Sequence, residues 1–293
     1  MTTDPTHQWN PHILNSSPIY WPLLPFAQTF ISAHQNWPGL DDYQNFLQHG
    51  AGHIHSASGA PLHFAPQGKK AESIDTAYEP RIYLRGEIQT RLCNWHDFFQ
   101  VLIWRIFPNT KSTLNQLHYN AIIKRYPKKQ ATAAKKTHTQ RTPIENALTQ
   151  FDECGAIILS CNKKLLQLIK DFQWKTLFLE HRSELSTSLR CIVFGHAIYE
   201  KAISPYIGLT AHSLLLHVDE QVLQKSTSEL ACLADKLTNE QFRQSGIIKS
   251  PQSFAPFPLL GMPGWVPENS QPSFYDNTQY FRPGRQTNKS TVT

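Results

Sequence analysis

The sequence predicts an α+β (mixed α/β) fold: one main domain with a helical hairpin, a small sheet and a proline-rich C-terminal strap. Three observations carry this reading. Trp95, Phe98, Phe99, Leu102, Ile103 and Ile106 fall at the spacing of one buried helical face. Arg190–Phe194 and Leu214–Val218 are short apolar runs of strand length. Between Ser250 and Arg285 stand Pro251, Pro256, Pro258, Pro263, Pro267, Pro272 and Pro283, too many for a regular element. Phe254, Phe257, Leu259, Leu260, Trp265, Phe274, Tyr275 and Phe281 then give that extended strap its grip on the core.

The elements follow in order. Residues 1–60 form an aromatic N-terminal segment packed on the core, with one short helix in Pro25–Asn36 and a second around Tyr43, Phe46 and Leu47. His49, His53 and His55 share a glycine-rich loop, where a metal would lack a carboxylate and a rigid support. Residues 61–285 form the main domain. Pro61–Gly68 reads as a short strand, and Arg81–Leu84 as another, ending in a bend at Gly86. Asn94 stands where an N-cap belongs, with Asp97 at the third helical position. Pro108 ends that helix, and Leu114, Leu117, His118, Ala121 and Ile122 begin the stripe of a second. A hairpin joined by Phe107–Pro108–Asn109 would bring His96 and His118 to similar heights. Ala147–Phe151 and Ala156–Ser160 read as two strands around a turn at Asp152–Gly155. Helices are expected at Lys164–Phe172, after Gly195 at His196–Ile203, and at Asp219–Leu237, with a frayed tail at residues 286–293.

Composition narrows the classes. A chain of 293 residues that is 40% hydrophobic and only 17% charged builds a large core and is not of the disordered type. The first residues carry no basic and apolar leader pattern, and no apolar run is long enough to span a bilayer. A cytoplasmic protein without membrane contact is therefore expected. Five widely spaced cysteines with no CxxC pair point to reduced thiols. The absence of GxGxxG, GxxxxGK[ST] and GxSxG disfavours dinucleotide folds, P-loop enzymes and nucleophile-elbow hydrolases. The net charge of +6 is concentrated. Phe98–Ile144 holds nine lysines and arginines and no acid, which leaves 19 basic against 22 acidic residues elsewhere.

The chemistry-bearing candidates are His96, Asp97, His118, His196 and Glu200, with Asp152 or Glu153 as a further carboxylate. Gathered in one pocket, they would make a His/carboxylate-dependent, hydrolase-like site. His196 and Glu200, at i and i+4 on one helix face, would join His118 as ligands of a divalent metal that activates water. Arg91, Lys111, Arg141 and Asn94 would hold an anionic substrate. Each residue also has an ordinary reading: Asn94 and Asp97 as caps, Asp152 and Glu153 as turn formers, His118 as a core histidine. Two other functions use the same sequence. The basic segment 105–141 suits a non-catalytic protein that binds phosphate or nucleic acid, and the chain also suits a structural or regulatory partner protein.

Six motifs carry a resemblance. NWHDFF (Asn94–Phe99), FPNTKSTLN (Phe107–Asn115), NALTQFDECG (Asn146–Gly155), VFGHAIYEK (Val193–Lys201), PFPLLGMPGW (Pro256–Trp265) and FYDNTQYFRP (Phe274–Pro283) occur in this order. Over Pro61–Arg285 the chain resembles a bacterial family known as domain-of-unknown-function family 3025. The resemblance implies a single soluble domain and names no activity. The Lys- and Ala-rich stretch Lys128–Lys136 is where the chain departs from the pattern expected of the family.

Overall fold

The computed structural model describes residues 8–49, 53–68, 71–126, 140–244 and 246–284. Most of the densest basic stretch, with Lys128, Lys129, Lys135 and Lys136, and the tail at 286–293 lie outside the described residues. The architecture is α+β. A four-stranded sheet has the order β4-β3-β5-β6, formed by β3 (Gly155–Ser160), β4 (Leu189–Val193), β5 (Thr210–His217) and β6 (Ala255–Pro258). β3 runs parallel to β5, with Ile158 beside Leu215, and antiparallel to β4, with Ile158 beside Cys191. Every residue of β3 is buried: α6 (Pro143–Cys154), α7 (Lys163–Lys170), α10 (Glu220–Leu223) and α11 (Thr227–Arg243) pack against it, and α8 (Arg182–Ser188) against β4. A separate parallel pair, β1 (His63–Pro66) and β2 (Glu87–Thr90), is joined through helix α3 (Tyr78–Arg85).

The aromatic N-terminal segment holds α1 (Leu24–Ser32) and α2 (Leu40–Gln48) and is continuous with the main core. Trp9 stacks on Trp95 at 5.3 Å, the Tyr20 hydroxyl donates to Tyr199 O, and Trp21 Nε1 donates to Cys191 O on the edge strand β4. That last bond uses an edge carbonyl that would otherwise invite pairing. The C-terminal strap wraps the core as its apolar residues predict: Phe254, Phe257, Leu259, Leu260, Trp265, Tyr275 and Phe281 are buried. Polar anchors fix it, since Tyr280 OH donates to Leu209 O and Trp174 Nε1 to Arg282 O.

Three local expectations are corrected. Arg81–Leu84 lies in α3 rather than in a strand, and Gly86, at φ 70°, is its left-handed C-cap. Ala147–Phe151 is also helical, within α6 (Pro143–Cys154). Thr142 and Glu145 form a reciprocal capping box, with Thr142 N donating to Glu145 Oε2 at 2.8 Å and Glu145 N to Thr142 Oγ1 at 3.2 Å. Asp152 is therefore a buried residue on a helix, not part of a turn.

The hairpin expectation changes as well. α4 (Trp95–Ile106) ends where α5 (Pro108–Arg125) begins, so Pro108 is the first residue of a helix. Helix α11 (Thr227–Arg243) supplies the missing cap: Asp235 accepts the Asn109 and Thr110 amides at 3.1 and 2.7 Å. α5 then packs mainly on α11, α6 and α3, while α4 packs mainly on α9 (His196–Lys201). No helix among the described residues is long and apolar enough to cross a membrane.

Candidate functional site

The site starts at the N-terminus of α4. Asn94 Oδ1 accepts the Asp97 amide at 3.0 Å. Asp97 turns back onto the entering chain, where Oδ2 accepts from Arg91 N at 2.6 Å and Arg91 Nε at 3.0 Å, and Oδ1 accepts from Arg91 Nη2 at 3.0 Å. Between them Cys93 holds φ 54°, a sparsely populated backbone conformation that this clamp maintains. Asn94 and Asp97 are thus helix-start residues.

The partner ring comes from α9. Gly195 precedes it, and a Cβ there would sit 2.4 Å from Glu153 O and 2.5 Å from Cys154 N. Only glycine lets the end of β4 approach the last turn of α6 so closely. That approach sets His196 beside Asp152. His96 Nε2 and His196 Nε2 are 3.0 Å apart, with rings at 80° and centroids 4.4 Å apart. His96 Nδ1 is 2.9 Å from Glu200 Oε2. His196 Nδ1 lies 3.9 Å from Asp152 Oδ2 and has no hydrogen-bond partner among the described residues. The other Asp152 oxygen, Oδ1, accepts from Lys111 Nζ at 2.5 Å.

These five side chains form a line from solvent to interior. Glu200 and His96 are 39% and 27% exposed, Asp152 12%, and His196 and Lys111 4% each. The electrostatics follow the line. Burial pushes the His196 imidazole down to about 3, so it is neutral at physiological pH. Burial pushes the Asp152 carboxyl up, but Lys111 beside it prevails and the net shift is downward. The hydrogen bond from His96 holds Glu200 below the usual carboxylate range. Arg91, half exposed at the mouth, is raised by its bonds to Asp97.

The structure brings together His96, His196 and Glu200, and it separates His118 from them. His118 Nδ1 faces Glu79 Oε1 at 3.4 Å and its Nε2 faces Thr149 Oγ1 at 3.5 Å. The proposed ligand set His118, His196 and Glu200 is therefore not assembled. Among the described residues no group of three or more His, Cys, Asp or Glu side chains is arranged to hold a metal ion. A recess beside Asp152 is lined by Tyr78, Glu79, Trp104, Lys111 and Asn115, among others, and by none of the five catalytic candidates.

The anion-holding residues also read differently in place. Lys111 is buried against Asp152, Arg141 Nη1 reaches Thr149 Oγ1 at 3.3 Å on the exposed surface, and Asn94 is occupied as a cap. Elsewhere in the basic segment, Arg125 pairs with Glu145 at 2.8 Å, and Arg105 donates to His49 O at 2.7 Å. Lys111, Arg105 and Arg125 therefore serve internal contacts rather than a free basic face.

Two residues of this line stand differently from their sequence reading. Lys111 is the counter-charge of Asp152 rather than a substrate hook, and nothing in its neighbours signals this. Asp152 was legible in principle: Thr142-Pro143-Ile144-Glu145 is a helix-start signature, and a helix from there carries Leu148, Phe151 and Asp152 on its buried side.

No curated protein and no solved structure is significantly similar to this chain. One family, described as a protein of unknown function (DUF3025), matches residues 62–285. That stretch includes every residue of the line from Glu200 to Lys111, and with about three quarters of its length matched the chain belongs to this family.

Proposed function

We propose that Glu200, His96 and His196 form the proton-transfer site of a hydrolase-like enzyme acting on an anionic substrate. The observation that carries this reading is the contact of two imidazole Nε2 atoms at 3.0 Å, one ring oriented by a carboxylate and exposed, the other buried. Two such nitrogens attract only when a proton lies between them. That proton is the movable one. At the exposed edge, His96 takes a proton from an attacking water or returns one to a leaving group, while Glu200 stabilises the charge that His96 then bears. Arg91 stands at the same mouth, close enough to Glu200 for the two charges to influence each other, and supplies the positive field for an anionic substrate.

The test is turnover of a panel of phosphate mono- and diesters and of carboxylate-bearing esters and amides by the full chain. Replacing a general base costs about 10²–10⁴-fold in rate. His96→Asn is expected to lose turnover on that scale, and Glu200→Gln to lose part of it, with both variants folded. A wild type inert on the whole panel, or a His96→Asn variant with wild-type turnover, rejects the reading.

A further inference from the structure

We infer that Asp152, pinned by Lys111, is a positioning residue that holds His196 with its proton on Nδ1. His196 Nε2 is then a bare acceptor facing His96. The inference rests on the proposed proton-transfer site for its use in catalysis, but the tautomer can be measured without any substrate.

One proton on a neutral His196 can sit on either ring nitrogen. With the proton on Nε2, the Nδ1 lone pair would face the Asp152 carboxylate at 3.9 Å in a buried site, with no donor between them. Two electron-rich groups would then oppose each other where the effective dielectric is low. With the proton on Nδ1, the positive end of the N–H faces the carboxylate, and the interaction reverses sign. The distance is too long for a hydrogen bond, so the carboxylate acts as a field rather than as a proton acceptor.

Three contacts keep Asp152 in that role. Lys111 Nζ, itself buried, binds the opposite oxygen and holds the carboxylate ionised. The Lys111 ammonium also lies over the Trp104 ring, 4.9 Å from its centroid, which fixes the cation in place. The close approach at Gly195 sets the spacing between α6 and α9. The charged and titratable groups that bear on His196 are then Asp152, Lys111, His96 and Glu200; of these side chains Asp152 is the one that faces Nδ1, and the Asp152 main-chain carbonyl acts on the ring in the same sense as its carboxylate.

A directional relay results. Once His96 has taken the proton from the attacking water, it donates from Nδ1 to Glu200 and from Nε2 to His196. Once His96 releases the Nε2 proton to a substrate, two lone pairs face each other at 3.0 Å, and the pair is driven to recover a proton. The step moves one proton from His96 Nε2 to the leaving group and returns one from the attacking water.

Long-range ¹H–¹⁵N spectra of the imidazoles at pH 7 test this in the full-length protein. In the wild type, His196 is expected to carry its proton on Nδ1 and to show a bare Nε2. The double variant Lys111→Met/Asp152→Leu replaces the ion pair by apolar side chains, an exchange that buried pairs often tolerate. There the Nδ1–H form is expected to give way to Nε2–H. A wild-type spectrum with the His196 proton on Nε2 overturns the inference whether or not the variant folds, and so does a folded double variant that keeps Nδ1–H. The expected tautomer in a protein inert on the substrate panel removes the hydrolase reading alone. The opposite tautomer with turnover removes this inference alone.

Discussion

His196 and His118 are both interior histidines influenced by the Asp152 carboxylate, yet their charge states are driven in opposite directions. Burial opposes the charged form of each. At His196 it prevails and the group falls to about 3. At His118 burial also pushes down, but Glu79 outweighs it and the net shift is upward. The difference lies in what each carboxylate already holds. Asp152 has Lys111 on one oxygen and stands 3.9 Å from His196. Glu79 accepts from the neutral Asn115 amide at 2.7 Å and stands 3.4 Å from His118. A carboxylate committed to one cation does less to favour the charged form of a second group than one bound to an amide. This contrast separates a histidine held neutral by burial from one drawn toward its charged form.

Removing Lys111 breaks the contrast most severely. Lys111→Met leaves Asp152 buried and uncompensated, so unfolding in denaturant is expected to show a loss of about 3–5 kcal/mol. In protein that remains folded, the released carboxylate turns toward His196, and the His196 titration followed by NMR rises well above 3. A variant as stable as the wild type with His196 still titrating near 3 would contradict this account. Glu79→Gln is next in size. It removes the carboxylate that faces the buried His118, with an expected cost of about 1–3 kcal/mol, and lowers the His118 titration below its wild-type position.

The same contrast gives stability two pH flanks. The depressed His196 contributes stability that is present above the unfolded value of about 6.5 and is lost as pH falls toward 3. Asp152 and Glu200, both lowered, add to that acid flank. The raised His118 contributes stability that is complete below pH 6.5 and is lost as pH rises through its folded value. Denaturation measured from pH 4 to 9 should therefore show that Glu79→Gln flattens the alkaline flank and leaves the acid flank intact. The smallest effect is at the helix start. Asn94→Ala removes a cap and is expected to cost about 1 kcal/mol in thermal unfolding, with both histidine titrations unchanged.

The parts legible in the sequence were those set by local rules. α4 was readable end to end because an apolar period, an N-cap and a proline agree. The pairing of His196 and Glu200 near one site followed from helical spacing alone. The parts that misled were decided by distant residues. His118 was expected opposite His96 because a proline between two helices suggests a hairpin, but Asp235, from far along the chain, caps α5 and draws it onto α11. Arg81–Leu84 has the composition of a strand, and Gly86 as a helix C-cap was the overlooked signal. Asp152 was taken for a turn residue because Asp, Glu, Cys and Gly in succession resemble one, although the capping box ten residues earlier says otherwise.

The central claim is that His96, and not His118, exchanges the proton. Turnover of His96→Asn and His118→Asn, measured side by side on the same ester panel with folding verified, tests it most directly. The account predicts a loss of about 10²–10⁴-fold for the first and wild-type turnover per folded molecule for the second. An active His96→Asn beside an inactive, folded His118→Asn would contradict it.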